Sequence, residues 1–163
     1  HLRNRRQRQM CIRDSLDEIK ISKSMRLLMK KNKYEITYNR AFSEVVKSCA
    51  QVKRFGQSGT WITPGLMNVY NILHEQGHAH SVEIWDGTKL VGGLYGIDIG
   101  DIFCGESMFS KASNSSKMAL IYLSKELKKN NYKFIDCQVP TAHLASLGAK
   151  TISRKDFMKY LEK

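Results

Sequence analysis

The chain has 163 residues, 42% of them hydrophobic and 9% aromatic, with only two prolines; this is enough apolar material for one folded domain and too much for wholesale disorder. A mean hydropathy of -0.41 and the lack of any apolar run near the ~18 residues of a bilayer span argue against a transmembrane helix. Lys and Arg number 27 against 15 Asp and Glu, a net charge of +12 with a pI near 9.6, which points to a polyanionic partner, nucleic acid before membrane.

Residues 1–15, HLRNRRQRQMCIRDS, hold five arginines and one aspartate with almost no apolar pattern. They read as an unstructured basic leader, or as sequence outside the native coding frame, and are set apart from fold reasoning. Met10, Cys11 and Ile12 are too few to make a secretory h-region. From Lys20 to Lys33 the sequence carries six positive charges and no acid. Ile21, Met25, Leu28 and Met29 fall on one face of a helix, and Lys23, Arg26 and Lys30 lie opposite, with Lys20, Lys31 and Lys33 close by. Such a helix grips phosphates, lies on a membrane, binds a partner or is a solvated surface; the segment alone leaves these open.

A short strand is predicted over Tyr34–Tyr38, followed by a helix capped by Asn39 with Phe42, Val45, Val46 and Cys49 on its apolar face. Gln51–Gly59 is polar and reads as a loop. Thr63-Pro64 opens the next helix as cap and first-turn proline, its stripe is Leu66, Val69, Tyr70 and Leu73, and Gly77 stops it. His80–Asp86, Leu90–Ile99 and Ile102–Phe109 alternate as strands separated by Asp86-Gly87 and Gly100-Asp101, an antiparallel meander. Asn114–Asn130 is a helix apolar almost all round and therefore buried. Tyr132–Val139 is a strand, Thr141–Leu147 a short helix and Lys150–Ile152 a short strand; Ser153 and Asp156 form a capping box for a last helix. The fold class is α/β (α+β): a mostly antiparallel mixed sheet flanked by helices, one domain over residues 16–163.

Four cysteines at positions 11, 49, 104 and 137 form no C-x-x-C pair, so neither a zinc site nor a disulfide framework is expected. Cys104 and Cys137 fall in apolar runs as buried reduced thiols, which places the chain in a reducing, cytoplasmic compartment. His74-Glu75-Gln76-Gly77-His78 matches H-E-x-x-H, but that zinc motif needs one unbroken helix. Gly77 ends the helix between the two histidines, so a helix-to-strand turn is expected and no metal. Asn114-Ser115-Ser116 fits a glycosylation pattern that a cytoplasmic chain does not use; Ser115 or Ser116 reads as a local cap.

Asp136-Cys137-Gln138 carries more. On a strand Asp136 and Gln138 share a face and Ile135, Cys137 and Val139 take the other. An acid inside such an apolar strand is costly unless it is paired or functional, and Glu106 at the end of IFCGE poses the same question. Two carboxylates and an amide on core strands suggest a polar cleft cut into the sheet; solvated strand ends are the plainer alternative.

The runs GTWITPGLMNVYNILHEQGHAHSVEIWDG, LVGGLYG, CGESMFS, ASNSSKMAL, IDCQVP and HLASLGAK, in this order, resemble the leucyl/phenylalanyl-tRNA–protein transferase family from about Ile21 to Lys163. The resemblance implies a GNAT-like acyltransferase fold and transfer of Leu or Phe, less readily Met, from aminoacyl-tRNA to the N-terminal Arg or Lys of acceptor proteins, marking them for N-end rule degradation. It implies catalytic roles for Asp136, Gln138 and Glu106, an apolar side-chain pocket at Leu94, Phe103, Met108, Leu120, Leu123 and Ile135, and a contact of Trp61 with the tRNA 3′ adenosine. Lys23, Lys30 and Lys31 match the family's basic cluster, Arg26 joins them toward tRNA phosphates, and Leu27 stands where a family arginine can occur. No cofactor and no membrane partner are expected, and a monomer is. The family carries a further N-terminal domain, whose place is taken here by the arginine-rich leader, and the C-terminus stops early, as in a fragment.

Two other classes are weighed. A CoA-dependent GNAT N-acetyltransferase needs a glycine-rich loop before its pyrophosphate-binding helix, and SKASNSS before Asn114–Asn130 contains none. A non-catalytic tRNA-binding module leaves Glu106, Asp136 and Gln138 unexplained, since carboxylates repel phosphate.

Overall fold

The computed structural model describes residues 10–12, 16, 19–52, 59–138 and 141–161. In chain order the elements are β1 (Met10–Ile12), α1 (Lys23–Lys30), β2 (Glu35–Tyr38), α2 (Phe42–Gln51), α3 (Pro64–Glu75), β3 (Ala79–Asp86), β4 (Lys89–Ile99), β5 (Ile102–Ser110), α4 (Ser115–Lys129), β6 (Phe134–Asp136), α5 (Ala142–Ser146), β7 (Lys150–Ile152) and α6 (Arg154–Leu161). They build one seven-stranded sheet in the order β2-β3-β4-β5-β6-β1-β7. Every pairing is antiparallel except β5 with β6, which α4 joins by a crossover. The class and mixed sheet expected from the sequence are those observed.

The segment expected to be a structureless leader departs from that reading at Met10–Ile12. These residues form a strand that pairs with both β6 and β7 and fills the gap between them. The physical reason is local: two short strands present unpaired edges, and a three-residue apolar run satisfies both. Residues 1–9 and 13–15 lie outside the described residues.

Both faces of the sheet are covered. α4 lays Met118, Leu120, Ile121, Leu123 and Leu127 on Val82, Ile84, Leu94, Phe103 and Ile135. Each fully buried side chain of this size contributes about 1.5–3 kcal/mol, so this helix is the principal anchor of that face. On the opposite face α2 and α3 pack Phe42, Val45, Val46, Cys49 and Tyr70 against Ala79, Tyr95 and Phe109. A smaller cluster of Ile102, Cys104 and Phe134 is closed by Phe157 of α6. The capping box foreseen for α6 is present: Ser153 Oγ accepts from the Asp156 amide at 3.1 Å.

Several expectations are corrected. Asn39 does not cap α2. It adopts a left-handed φ of 58°, its amide oxygen accepts from the Ser81 amide at 2.9 Å, and its Nδ2 lies 3.0 Å from His80 Nδ1. The N-cap of α2 is Ala41, with no side-chain cap; just before it, Glu83, fully buried on β3, accepts from the Arg40 amide and from the hydroxyls of Ser81 and Thr37. Val69, expected on the inward stripe of α3, is 52% exposed, because Tyr70 takes the inward position and turns Val69 outward. Ser115, read as a local cap, does not cap α4: the N-cap position is Asn114, at φ 64° and with no side-chain cap bond, and the Ser115 hydroxyl donates to the Val91 and Ala112 carbonyls.

Two irregularities in the sheet create the site. The β4–β5 register shifts between Tyr95, which faces Ser107, and Gly96, which faces Gly105. Glu106 is therefore the extra residue of a β-bulge, and a bulge re-aims the side chain it carries. Next to it the β5–β6 ladder stops at the Cys104–Asp136 pair, and the two strands are not paired beyond it.

Candidate active site

A cavity of about 450 Å³ occupies this opening. Its apolar wall is Leu94 of β4, Phe103 and Met108 of β5, Leu120 and Leu123 of α4 and Ile135 of β6, all six of the predicted pocket residues. Alternation on the strands and one face of α4 bring them together from four elements. Trp61, Glu106 and Gln138 line the same cavity, so nine of the predicted site residues converge there. Gly96 leaves the space that the Phe103 ring occupies: a Cβ at this glycine would meet that ring at 2.5 Å.

The polar end is a chain of hydrogen bonds around Gln138. Its side-chain Nε2 donates to Glu106 Oε1 at 3.1 Å, and Tyr70 of α3 donates its hydroxyl to Glu106 Oε2 at 2.8 Å. The backbone N–H of Gln138 donates to Asp136 Oδ1 at 2.7 Å. The sequence reading had a strand continuing to Val139 with Asp136 and Gln138 on one face; the strand ends at Asp136. Gln138 takes a left-handed φ of 59°, held by the Asp136 carboxylate, and it joins Ile135 and Cys137 in lining the cavity instead of alternating with them. Asp136 itself does not line the cavity and is only 3% exposed.

Burial pushes the Asp136 carboxyl above the ordinary carboxylate range, and the nearby Glu106 charge adds to this, while the Gln138 amide opposes it. Burial, then the charges of Asp136, Glu106 and Asp98, push the Cys104 thiol up to about 12, so it is a neutral thiol and not a nucleophile at neutral pH. Cys49 and Cys104 are buried, and Cys137 is half-buried on the cavity wall.

Trp61 stands at the mouth, 44% exposed. It is fixed by its neighbours: Ile62 is buried and its amide donates to Thr60 Oγ1, and the Thr63 amide donates to the Trp61 carbonyl at the entry to α3. The basic residues are elsewhere, on α1. Met25 is buried there, and Lys23, Arg26, Lys30 and Lys31 are exposed and pair with no acid among the described residues. Leu27 stands among them, 54% exposed.

The H-E-x-x-H pattern is broken as expected. α3 ends at Glu75, Gly77 turns at φ 80°, and His74 donates to the Ala79 carbonyl while stacking on Phe42 at 4.2 Å. Among the described residues no group of three or more His, Cys, Asp or Glu is placed to hold a metal, and no helix is long and apolar enough to cross a membrane.

The sequence reading missed Tyr70, Tyr95, Ser107, Cys137, Thr141 and Leu144, which line the cavity or, for Tyr70, hold its carboxylate. Tyr70 was visible only as one member of an apolar stripe, and no local signal marks its hydroxyl as the part that matters. The assembled site offers an apolar cup beside the Gln138 amide and the Glu106 carboxylate, with the buried Asp136 carboxylate behind Gln138. It suits an uncharged side chain held next to a reacting amine, and among the described residues it contains no activated nucleophile of its own.

Comparison with known proteins agrees with this arrangement. The family described as leucyl/phenylalanyl-tRNA protein transferase matches residues 15–162. The leucyl/phenylalanyl-tRNA–protein transferase of Flavobacterium johnsoniae is 56% identical over 146 residues, 90% of this chain and 69% of that protein. That of Flavobacterium psychrophilum is 53% identical over 147 residues, 90% of this chain and 70% of that protein. Among solved structures, an aminoglycoside acetyltransferase from an uncultured soil metagenomic sample superposes with a TM-score of 0.50 at 12% identity, covering 82% of this chain and 90% of its own, a likeness of fold alone. The fold is the GNAT-like acyltransferase fold, and the chain belongs to the leucyl/phenylalanyl-tRNA protein transferase family, a family of aminoacyltransferase enzymes.

Proposed function

We propose that the protein transfers Leu or Phe, and less readily Met, from aminoacyl-tRNA to the N-terminal Arg or Lys of acceptor proteins in the cytoplasm, as a monomer, and so marks them for N-end rule degradation. The observation that carries this reading is the single cavity in which an apolar cup adjoins the Glu106–Gln138 pair. The cup takes the donor side chain: Leu, Phe and Met fit an apolar wall, and discrimination among them is modest, about 1–3 kcal/mol per methylene. Trp61 stacks on the 3′ adenosine at the mouth, and Lys23, Arg26, Lys30 and Lys31 neutralise phosphates of the acceptor arm without reading sequence.

The reaction is aminolysis of an ester that is already activated. An N-terminal amine with a pKa of roughly 7.7–8.0 is about one-tenth neutral at pH 7, so no strong base is needed and positioning supplies most of the acceleration. Gln138 accepts a hydrogen bond from the attacking amine through its side-chain oxygen and orients the lone pair toward the ester carbonyl. The amine adds to that carbonyl, the ribose oxygen leaves, and the proton passes to water or to the departing oxygen. Asp136 and Glu106 attract the cationic acceptor terminus and stabilise the positive charge that develops on its nitrogen.

Radiolabelled leucyl-tRNA incubated with an Arg-N-terminal peptide tests the reading, with acetyl-CoA offered as a competing donor. Labelled peptide from the tRNA donor supports it. Acetylated peptide, or tRNA binding without any transfer, would replace it with one of the two alternative classes.

A further inference from the structure

Glu106 has no partner in either neighbouring ladder. It is the bulged residue of β5 opposite β4, and it lies beyond the last pair that β5 makes with β6. Its carboxylate is therefore oriented by side chains, namely Tyr70 at Oε2 and Gln138 at Oε1. The amide group of Gln138 faces two acceptors, Glu106 Oε1 at 3.1 Å and the Gly105 carbonyl at 3.5 Å. Only an NH₂ satisfies both, so the side-chain oxygen is the atom left toward the cavity. Should the Glu106 carboxylate swing away, the amide loses that preference and its NH₂ can rotate toward the incoming amine, which repels it.

We propose that Tyr70 is a positioning residue for aminoacyl transfer: by donating its hydroxyl to Glu106 Oε2 it fixes the carboxylate that in turn fixes the Gln138 amide with its oxygen toward the acceptor amine. This rests on the transfer reading above and adds to it a residue from α3 that touches neither donor nor acceptor. The phenol suits the task. It is buried, and its ring is braced edge-on against Tyr95, with centroids 4.9 Å apart at 72°. Burial and the Glu106 bond both push its ionisation upward, so it stays a donor through the working pH range. The same helix is capped by Thr63, two residues after Trp61, so α3 links the mouth of the cavity to the orientation of its amide.

Tyr70→Phe keeps the ring and removes the hydroxyl. Expected is a fall in kcat of about tenfold, the size of one hydrogen bond to a charged group, with KM for aminoacyl-tRNA changed less than about twofold. In a double-mutant cycle, Tyr70→Phe on a Glu106→Gln background costs nothing further, since Tyr70 acts only through Glu106. A second measurement is independent of activity: in the isotopically labelled chain, the Gln138 side-chain NH₂ resonances are expected to shift in Tyr70→Phe, while resonances remote from α3 keep their wild-type positions and report the fold. Wild-type kcat in Tyr70→Phe, full additivity in the cycle, or Gln138 resonances unmoved by the substitution would each overturn the proposal. An inactive wild-type chain whose Gln138 resonances shift in Tyr70→Phe as expected would instead count against the transfer reading and leave the hydrogen-bond chain standing.

Discussion

Gly96→Ala adds one methyl group at the point where the bulge, the core and the cavity meet. The new Cβ would sit 2.3 Å from the Cys104 carbonyl oxygen and 2.5 and 2.6 Å from two atoms of the Phe103 ring, where ordinary contact begins at 3.4 Å. The carbonyl belongs to the paired strand β5 and cannot rotate aside, so β4 and β5 must separate by about an ångström while the Phe103 ring moves toward the cavity. Overpacking of this kind costs about 2–3 kcal/mol, roughly 5–10 °C in Tm for a domain of this size. The displaced ring narrows the cup, so kcat/KM falls more for phenylalanyl-tRNA than for leucyl-tRNA. Thermal unfolding followed by circular dichroism and paired transfer assays with the two donors measure both effects. A Tm within a degree of wild type together with an unchanged Phe-to-Leu ratio would refute this account of how the glycine shapes the pocket.

Three further outcomes are expected. The raised Asp136 carboxyl binds its proton more tightly in the folded chain than in the unfolded one, so its contribution to stability is full below the ordinary carboxylate range and is lost as pH rises through the folded value. Asp136→Asn, which keeps an oxygen for the Gln138 amide, should therefore melt above wild type at pH 7, the gap closing on acidification, while transfer drops at least about tenfold from the lost charge; a variant less stable than wild type at pH 7 would contradict this. The Tyr95 hydroxyl is buried without a hydrogen-bond partner, so Tyr95→Phe should raise stability by about 1 kcal/mol in urea unfolding, and a loss of that size would show that the hydroxyl is satisfied. Leu27 is exposed among Lys23, Lys30 and Lys31, and Leu27→Arg should tighten tRNA binding and steepen its log–log salt dependence by about 0.7–0.9; an unchanged slope in filter-binding titrations would place the tRNA elsewhere.

How much was legible in the sequence depends on the range of the interaction. Thr63-Pro64, the Ser153–Asp156 box and the turns at Gly77, Gly87 and Gly100 are local chemistry, and each lies where its residues require. The amphipathic face of α1 and the all-round apolarity of α4 are likewise intrinsic to their segments. Glu106 and Asp136 stood out because a carboxylate in an apolar strand is costly, and both are tied to Gln138 in one network. Registers were not legible. Nothing in IFCGESMFS says that Glu106 is the bulged residue, and alternation alone put Gln138 on the face of Asp136, because a left-handed turn is decided by the carboxylate two residues earlier. Asn39 was misread as a cap for the same reason: its partners, Ser81 and His80, come from a strand some forty residues later. Tyr70 and Tyr95 looked like core, and one of them does more because of what lies across the sheet from it.

The central claim is that the cavity transfers an apolar aminoacyl group from tRNA with Gln138 as the oriented acceptor. The most direct measurement is single-turnover transfer of radiolabelled leucine from leucyl-tRNA to an Arg-N-terminal peptide by the wild-type chain and by Gln138→Ala, with leucyl-tRNA binding measured in parallel. The account predicts transfer by the wild type, its loss in Gln138→Ala, and equal tRNA binding by both. Undiminished transfer in Gln138→Ala, or tRNA binding that falls in step with activity, would contradict it.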